Sequence, residues 1–171
     1  MDPVTRRARA VRLAIFDVDG VMTDGTLFIG PQGEVFKAFN ILDGHGLKML
    51  QSSGVATAII SGRASDAVAR RAAELDIAHV LQGSQDKSAA FDKLLASLGM
   101  QAEACAFVGD DLPDLAVMRR CGFAVAVANA CDAVKAAAHY VTRASGGRGA
   151  VREFCELVVQ AQTQPGSETA R

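Results

Sequence analysis

The chain reads as one α/β domain, a Rossmann-like parallel sheet with a β-hairpin inserted after the first strand and no large cap domain. Three observations predict it. Short apolar runs rich in β-branched residues alternate with amphipathic stretches, the rhythm of repeated β-α units on a parallel sheet. Acidic and glycine-bearing clusters follow several of those runs, where the ligand rim of an open parallel sheet lies. The length, 171 residues with 50% hydrophobic, suits a single domain burying roughly 70% of the surface that its unfolded chain exposes.

Taken in order, residues 1–10 form an N-terminal extension carrying Arg6, Arg7 and Arg9. The apolar run behind it breaks at Arg12 and stops at Asp17, too short for a signal sequence. A first strand spans 11–16. Two apolar arms, 26–29 and 34–39, flank Gly30-Pro31-Gln32-Gly33, which predicts the hairpin. Leu27, Phe28, Ile29, Val35, Phe36 and Phe39 put apolar side chains on both its faces. A lone protomer would expose them as a sticky edge, so hairpins from several copies are expected to pack together; the alternative is a hairpin folded flat on its own domain. Strands then follow at 55–60, 79–81, 105–108, 123–127 and, more weakly, 140–141. Helices fall near 44–53, 65–75, 87–98, 112–120, 132–138 and 151–162. Gly54, Gly99 and Gly122 stand where helix C-caps are expected. Residues 163–171 are polar, include Pro165 and Gly166, and are expected to fray. The domain proper is thus 11–162.

The 18 basic and 19 acidic residues leave a net charge of −1, so no global field steers the chain to nucleic acid or an anionic membrane. No stretch approaches the ~20 apolar residues of a membrane helix. Cys105, Cys121, Cys131 and Cys155 form no C-x-x-C pair, which argues against zinc and thioredoxin chemistry. They read as reduced thiols acting as small hydrophobes in a cytoplasmic protein.

Chemistry collects at the strand ends. Asp17-Val18-Asp19-Gly20-Val21 follows the first strand, Ser61-Gly62-Arg63 the second, and Gly109-Asp110-Asp111-Leu112-Pro113-Asp114 the fourth, while Lys87 opens the helix after the third. Right-handed crossovers with strand order 3-2-1-4-5 bring all four onto one rim, Asp17 and Asp110 on neighbouring strands. Crowded carboxylates there need cationic compensation, and all-oxygen ligation favours Mg²⁺. Lys87, Ser61 and loop amides would hold the remaining phosphoryl oxygens, a combination suited to phosphoryl transfer.

These four motifs, in order, resemble the haloacid dehalogenase-like phosphatases. With Thr23-Asp24-Gly25, Asn40-Ile41-Leu42-Asp43-Gly44-His45-Gly46 and Gly146-Gly147-Arg148-Gly149-Ala150-Val151-Arg152-Glu153, the chain from 11 to 162 looks like the 3-deoxy-D-manno-octulosonate 8-phosphate (KDO 8-phosphate) phosphatase family. The resemblance implies Mg²⁺-dependent hydrolysis of that sugar-acid phosphate in lipopolysaccharide precursor biosynthesis. It makes Asp17 the nucleophile and Asp19 the acid and base. Asp17, Asp110 and the Asp19 carbonyl would ligate the metal, and Ser61 and Lys87 would bind phosphoryl oxygens. Asp111 and Asp114 would hold the metal's waters or orient Lys87. Substrate contacts fall on Asp19, Lys87, Asn40, Ile41, Leu42, Asp43, Gly44, Lys48, Arg63 and Arg71. Lys48 stands where the family has arginine, losing bidentate carboxylate recognition, and Arg71 reads equally as a solvated helix residue.

Ser61 comes only 44 residues after Asp17, so no large cap fits between them and the pocket is open unless a neighbour closes it. The resemblance implies a homotetramer with hairpins forming a central barrel and a glycine-rich segment reaching an adjacent site. Gly146-Gly147-Arg148-Gly149 suits such a mobile arm, or an ordinary turn before the last helix. Two rivals remain: a phosphatase for another nonulosonate or sugar phosphate, and a receiver-type signalling module. The second needs an aspartate ending the third strand, where Leu81-Gln82-Gly83 has none.

Overall fold

A computed structural model describes residues 1–163; the tail expected to fray thus lies, from residue 164 on, outside the described residues. Among the described residues, eight strands form two sheets: β1 (Leu13–Phe16), β2 (Phe28–Gly30), β3 (Gly33–Phe36), β4 (Ala56–Ile60), β5 (His79–Leu81), β6 (Cys105–Gly109), β7 (Phe123–Ala126) and β8 (Tyr140–Val141). The main sheet has the order β5-β4-β1-β6-β7-β8, every pair parallel. Counting only its members, that is the expected 3-2-1-4-5 extended by a sixth strand. The central strands β1, β6 and β7 are buried at every position, as a parallel sheet covered on both faces requires, and this explains their continuous apolar runs.

Among the described residues, seven α-helices cover the sheet: α1 (Pro3–Ala10), α2 (Ile41–Ser52), α3 (Asp66–Glu74), α4 (Lys87–Leu98), α5 (Leu115–Met118), α6 (Asp132–Ala137) and α7 (Ala150–Thr163). Residues 3–10, expected as an extension, are helical. Asp2 caps them by accepting from the amides of Val4 and Thr5, with Pro3 at the first position, a start signal obscured by the surrounding arginines. This helix packs on α7, with Ala8 fully buried and Arg9 Nε donating to the Ala161 carbonyl at 2.9 Å.

Helix α2 starts three residues earlier than expected, because the Asn40 side chain accepts from the amides of Leu42 and Asp43. The expected helix at 112–120 is a 3₁₀ turn, Leu112–Asp114, followed by α5. Its turn closes through a reciprocal cap between Asp111 and Asp114.

The hairpin β2-β3 is a separate antiparallel pair with a register shift at Phe28/Ile29. Gly33, at φ +108°, supplies the backbone conformation its turn needs. Phe28 and Phe36 stack with ring centroids 4.3 Å apart. Ile29, Val35 and Phe36 remain 62%, 64% and 51% exposed, so the hairpin does not lie flat on its own domain; only Phe39 is packed against the core.

Candidate active site

The carboxyl ends of β1, β4 and β6 converge with the start of α4. In register, Phe16 pairs with Ile59 on one side and Val108 on the other, so the residues just beyond those pairs share one rim. Asp17 is buried there, its amide bonded to the Val108 carbonyl at 3.1 Å. Lys87 is presented by α4, whose N-terminus Asp86 caps through the Ala89 amide. The Lys87 Nζ lies 3.0 Å from Asp17 Oδ1 and 2.7 Å from Asp114 Oδ1.

Asp114 has no exposed surface, and its second oxygen accepts from the Asp110 amide at 2.9 Å and the Asp111 amide at 3.3 Å. It therefore holds both Lys87 and the Asp110 loop. Asp111 instead caps the 3₁₀ turn through the Leu112 amide. Of the two, it is Asp114 that contacts Lys87.

Burial pushes Asp17 up to about 6, helped by the charge of Asp114 and opposed by Lys87. Burial likewise pushes Asp110 up to about 7, reinforced by Asp17, Asp114 and Asp111. Burial alone would lower Lys87, but the carboxylates of Asp17 and Asp114 outweigh it and hold the ammonium above its ordinary value. Carboxylate oxygens of Asp17, Asp110 and Asp114 lie within 4.8 Å of one another. A crowded, desolvated, all-oxygen cluster with one cation for three carboxylates fits a hard divalent cation such as Mg²⁺.

A cavity of about 240 Å³ opens over this cluster, lined by Asp17, Asp19, Arg63, Lys87, Asp110 and Asp114 among others. Ser61 sits buried at the end of β4, immediately before the cavity-lining Gly62 and Arg63. The geometry therefore gathers the proposed phosphoryl machinery in one place. The remaining sequence-predicted substrate residues stand outside that lining. Asn40 caps α2, with Ile41 and Leu42 exposed beside it. Buried Asp43 accepts from the amides of Arg152 at 2.9 Å and Gly149 at 3.4 Å, at the start of α7. Gly44 is pressed against the Arg71 guanidinium, Arg71 pairs with Glu74, and Lys48 with Asp76.

The glycine-rich segment is a tight turn of its own chain rather than a free arm. The Gly147 amide donates to the Val21 carbonyl at 3.0 Å, and a Cβ on Gly146 would strike the Gly20 carbonyl. Asn129 spans the two, donating to the Gly20 carbonyl at 3.0 Å and accepting from the Gly146 amide at 2.6 Å. Sequence reading passed over Asn129. It also passed over Lys37 and Glu34, which surround Asp19: Lys37 Nζ lies 2.5 Å from Asp19 Oδ1 and 3.0 Å from Glu34 Oε2. The available signal was one lysine breaking an apolar arm between Phe36 and Phe39, three residues after a glutamate.

Known proteins resemble this chain over most of its length. The haloacid dehalogenase-like hydrolase family profile matches residues 73–154. The 3-deoxy-D-manno-octulosonate 8-phosphate phosphatase of Yersinia pestis is 50% identical over 94% of this chain and 86% of its own. The chain belongs to that phosphatase family. A Moraxella catarrhalis family member, solved with magnesium, phosphate and KDO, superposes with a TM-score of 0.92 at 44% identity, covering 95% of this chain and 93% of that one. A Pseudomonas syringae phosphatase structure matches at 55% identity and a TM-score of 0.92, covering 94% and 92%.

Proposed function

We propose that the chain is a Mg²⁺-dependent phosphatase that converts KDO 8-phosphate to KDO and inorganic phosphate through an aspartyl-phosphate, supplying a lipopolysaccharide precursor. The observation that carries it is the pairing of buried Asp17 with Lys87 beside Asp110, in a member of this family. An Asp17 oxygen attacks phosphorus and the bond from phosphorus to the sugar oxygen breaks. Asp19 gives that oxygen a proton, then takes one from the water that attacks the aspartyl-phosphate, freeing Asp17 and phosphate. Lys87 and the Ser61 hydroxyl hold the nonbridging oxygens in line, Lys87 fixed by Asp114. The Asp17 and Asp110 carboxylates and the Asp19 carbonyl would hold magnesium, which would supply neutralisation of phosphoryl charge.

The cavity of about 240 Å³ over the acidic cluster supports binding of the phosphoryl group there, with the sugar acid extending toward its mouth. Arg63, half-exposed on the lining, is placed to meet that part. Family membership supports a substrate-recognition role for Asn40 with the exposed Ile41 and Leu42, and for Lys48 and Arg71, while buried Asp43 and Gly44 shape that stretch; it likewise supports a homotetramer. The exposed apolar hairpin supports that assembly. No helix among the described residues is long and apolar enough to cross a membrane, and the free thiols of Cys105, Cys121, Cys131 and Cys155 support a cytoplasmic location.

Phosphate release across a panel of sugar and sugar-acid phosphates, with and without Mg²⁺, tests this reading. The highest kcat/KM is expected for KDO 8-phosphate, with turnover lost on chelation. A clear preference for another nonulosonate phosphate would move the assignment to that substrate.

A further inference from the structure

The second arm of the hairpin sends one charged side chain inward. The Lys37 side chain is only 2% exposed, and its ammonium contacts two carboxylates, Asp19 and Glu34. Glu34 is held from behind by the Ser65 hydroxyl, and Arg63 approaches it at 3.6 Å. Arg63 also approaches the other oxygen of Asp19, Oδ2, at 3.5 Å. The two oxygens of Asp19 are therefore distinct. Oδ1 is tied to a buried cation outside the cavity lining, and Oδ2 faces a cation on that lining.

Taking an ammonium out of water carries a large desolvation penalty unless close partners compensate it. An apolar residue at position 37 would hold the hairpin without that penalty, so the ammonium calls for a reason beyond packing. Its shortest contact is the carboxylate that exchanges protons in the proposed reaction.

We propose that Lys37 is a positioning residue for acid and base catalysis, pinning Asp19 Oδ1 so that Oδ2 is the oxygen that exchanges protons with the leaving group and the water. The inference rests on the role of Asp19 in the proposed function. In the first step, the Oδ2 proton passes to the sugar oxygen as its bond to phosphorus breaks. Lys37 keeps its own proton and touches no reacting atom. Without it, Asp19 rotates toward Arg63, which is then drawn off the cavity mouth.

The test compares Lys37→Met and Lys37→Arg, each in the wild-type and Asp19→Asn backgrounds, by single-turnover kinetics. KDO 8-phosphate and glucose 6-phosphate have poor alkoxide leaving groups that need a proton. The phenolate of p-nitrophenyl phosphate departs without one. Lys37→Met is expected to slow the first step on whichever sugar phosphate the wild type turns over by roughly ten- to a hundredfold, while the p-nitrophenol burst stays at the wild-type rate. Lys37→Arg should recover part of the loss. In the Asp19→Asn background Lys37→Met should add nothing, because the two residues act as one unit. Equal losses on both leaving groups, a further loss on top of Asp19→Asn, or no loss at all would overturn the proposal. Should Lys37→Met not fold, Lys37→Gln, whose neutral amide sits one atom closer to the backbone than the ammonium, is read against the same outcomes. A wild type that cleaves glucose 6-phosphate but not KDO 8-phosphate would reject the substrate assignment and leave the Lys37 comparison intact.

Discussion

Gly20 lies one residue beyond Asp19 with φ +86°, and a Cβ at that position would strike the Asp110 carboxylate. It thus combines a backbone conformation that glycine alone adopts freely with a close approach between the two acidic loops. Gly20→Ala should cost about 1–2 kcal/mol through the left-handed conformation alone and displace Asp110. Chemical denaturation should show the first effect, and a weakened Mg²⁺ titration the second. Asp17→Asn keeps shape and burial but removes the nucleophile, so Mg²⁺-dependent phosphate release should vanish while the circular dichroism spectrum is unchanged. Turnover near wild type would remove Asp17 from that role. Asp17, Asp19, Asp110 and Lys87 were all legible in the sequence, because each belongs to a short motif at a strand end or helix start.

At the scale of elements, the β8–α7 connection is anchored by Glu153. Its carboxylate accepts from the Tyr140 hydroxyl at 2.6 Å and from the amides of Arg143 and Ala144 at 3.0 Å. Burial would raise its pKa, but these donors outweigh burial and hold it below the ordinary glutamate value of 4.5. A carboxylate lowered in the folded state contributes stability above its unfolded pKa and loses it as pH falls through the folded one. Glu153→Gln should therefore melt below wild type at pH 7, with the gap closing as pH drops past 4.5. The hairpin is an exposed liability, a ribbon that leaves Leu27, Ile29, Val35 and Phe36 largely open to solvent. Phe28→Asp with Phe36→Asp should shift the mass seen by light scattering from tetramer to monomer while leaving the main sheet folded. A wild type that is monomeric at micromolar concentration would refute the assembly.

Over the whole molecule, the metal cluster links stability to ligand. The carboxylates of Asp17, Asp110 and Asp114 converge at the sheet's rim, two of them on the Lys87 ammonium, and a cation bound there stabilises the folded state alone. At a concentration a hundredfold above its dissociation constant, Mg²⁺ should add about 2.7 kcal/mol. For a domain of this size that corresponds to a rise in Tm of roughly 5–10 °C, measurable by thermal scan and abolished by Asp110→Asn.

The class of fold, the strand order and the rim bearing the acidic motifs were all readable from the residues, since apolar periodicity and the handedness of β-α-β crossovers depend only on local sequence and chain chirality. Helix α1 escaped that reading although its Asp-Pro start was visible, because a short, arginine-rich helix is stabilised by docking on α7 rather than by its own propensity. The contact of Lys87 with Asp114 rather than Asp111, the docking of the Gly146 turn on the Asp17 loop, and the reach of Lys37 to Asp19 came only with tertiary packing. Each joins residues brought together by several loops at once, and neither spacing nor residue type encodes which of several nearby polar groups ends up within hydrogen-bonding distance.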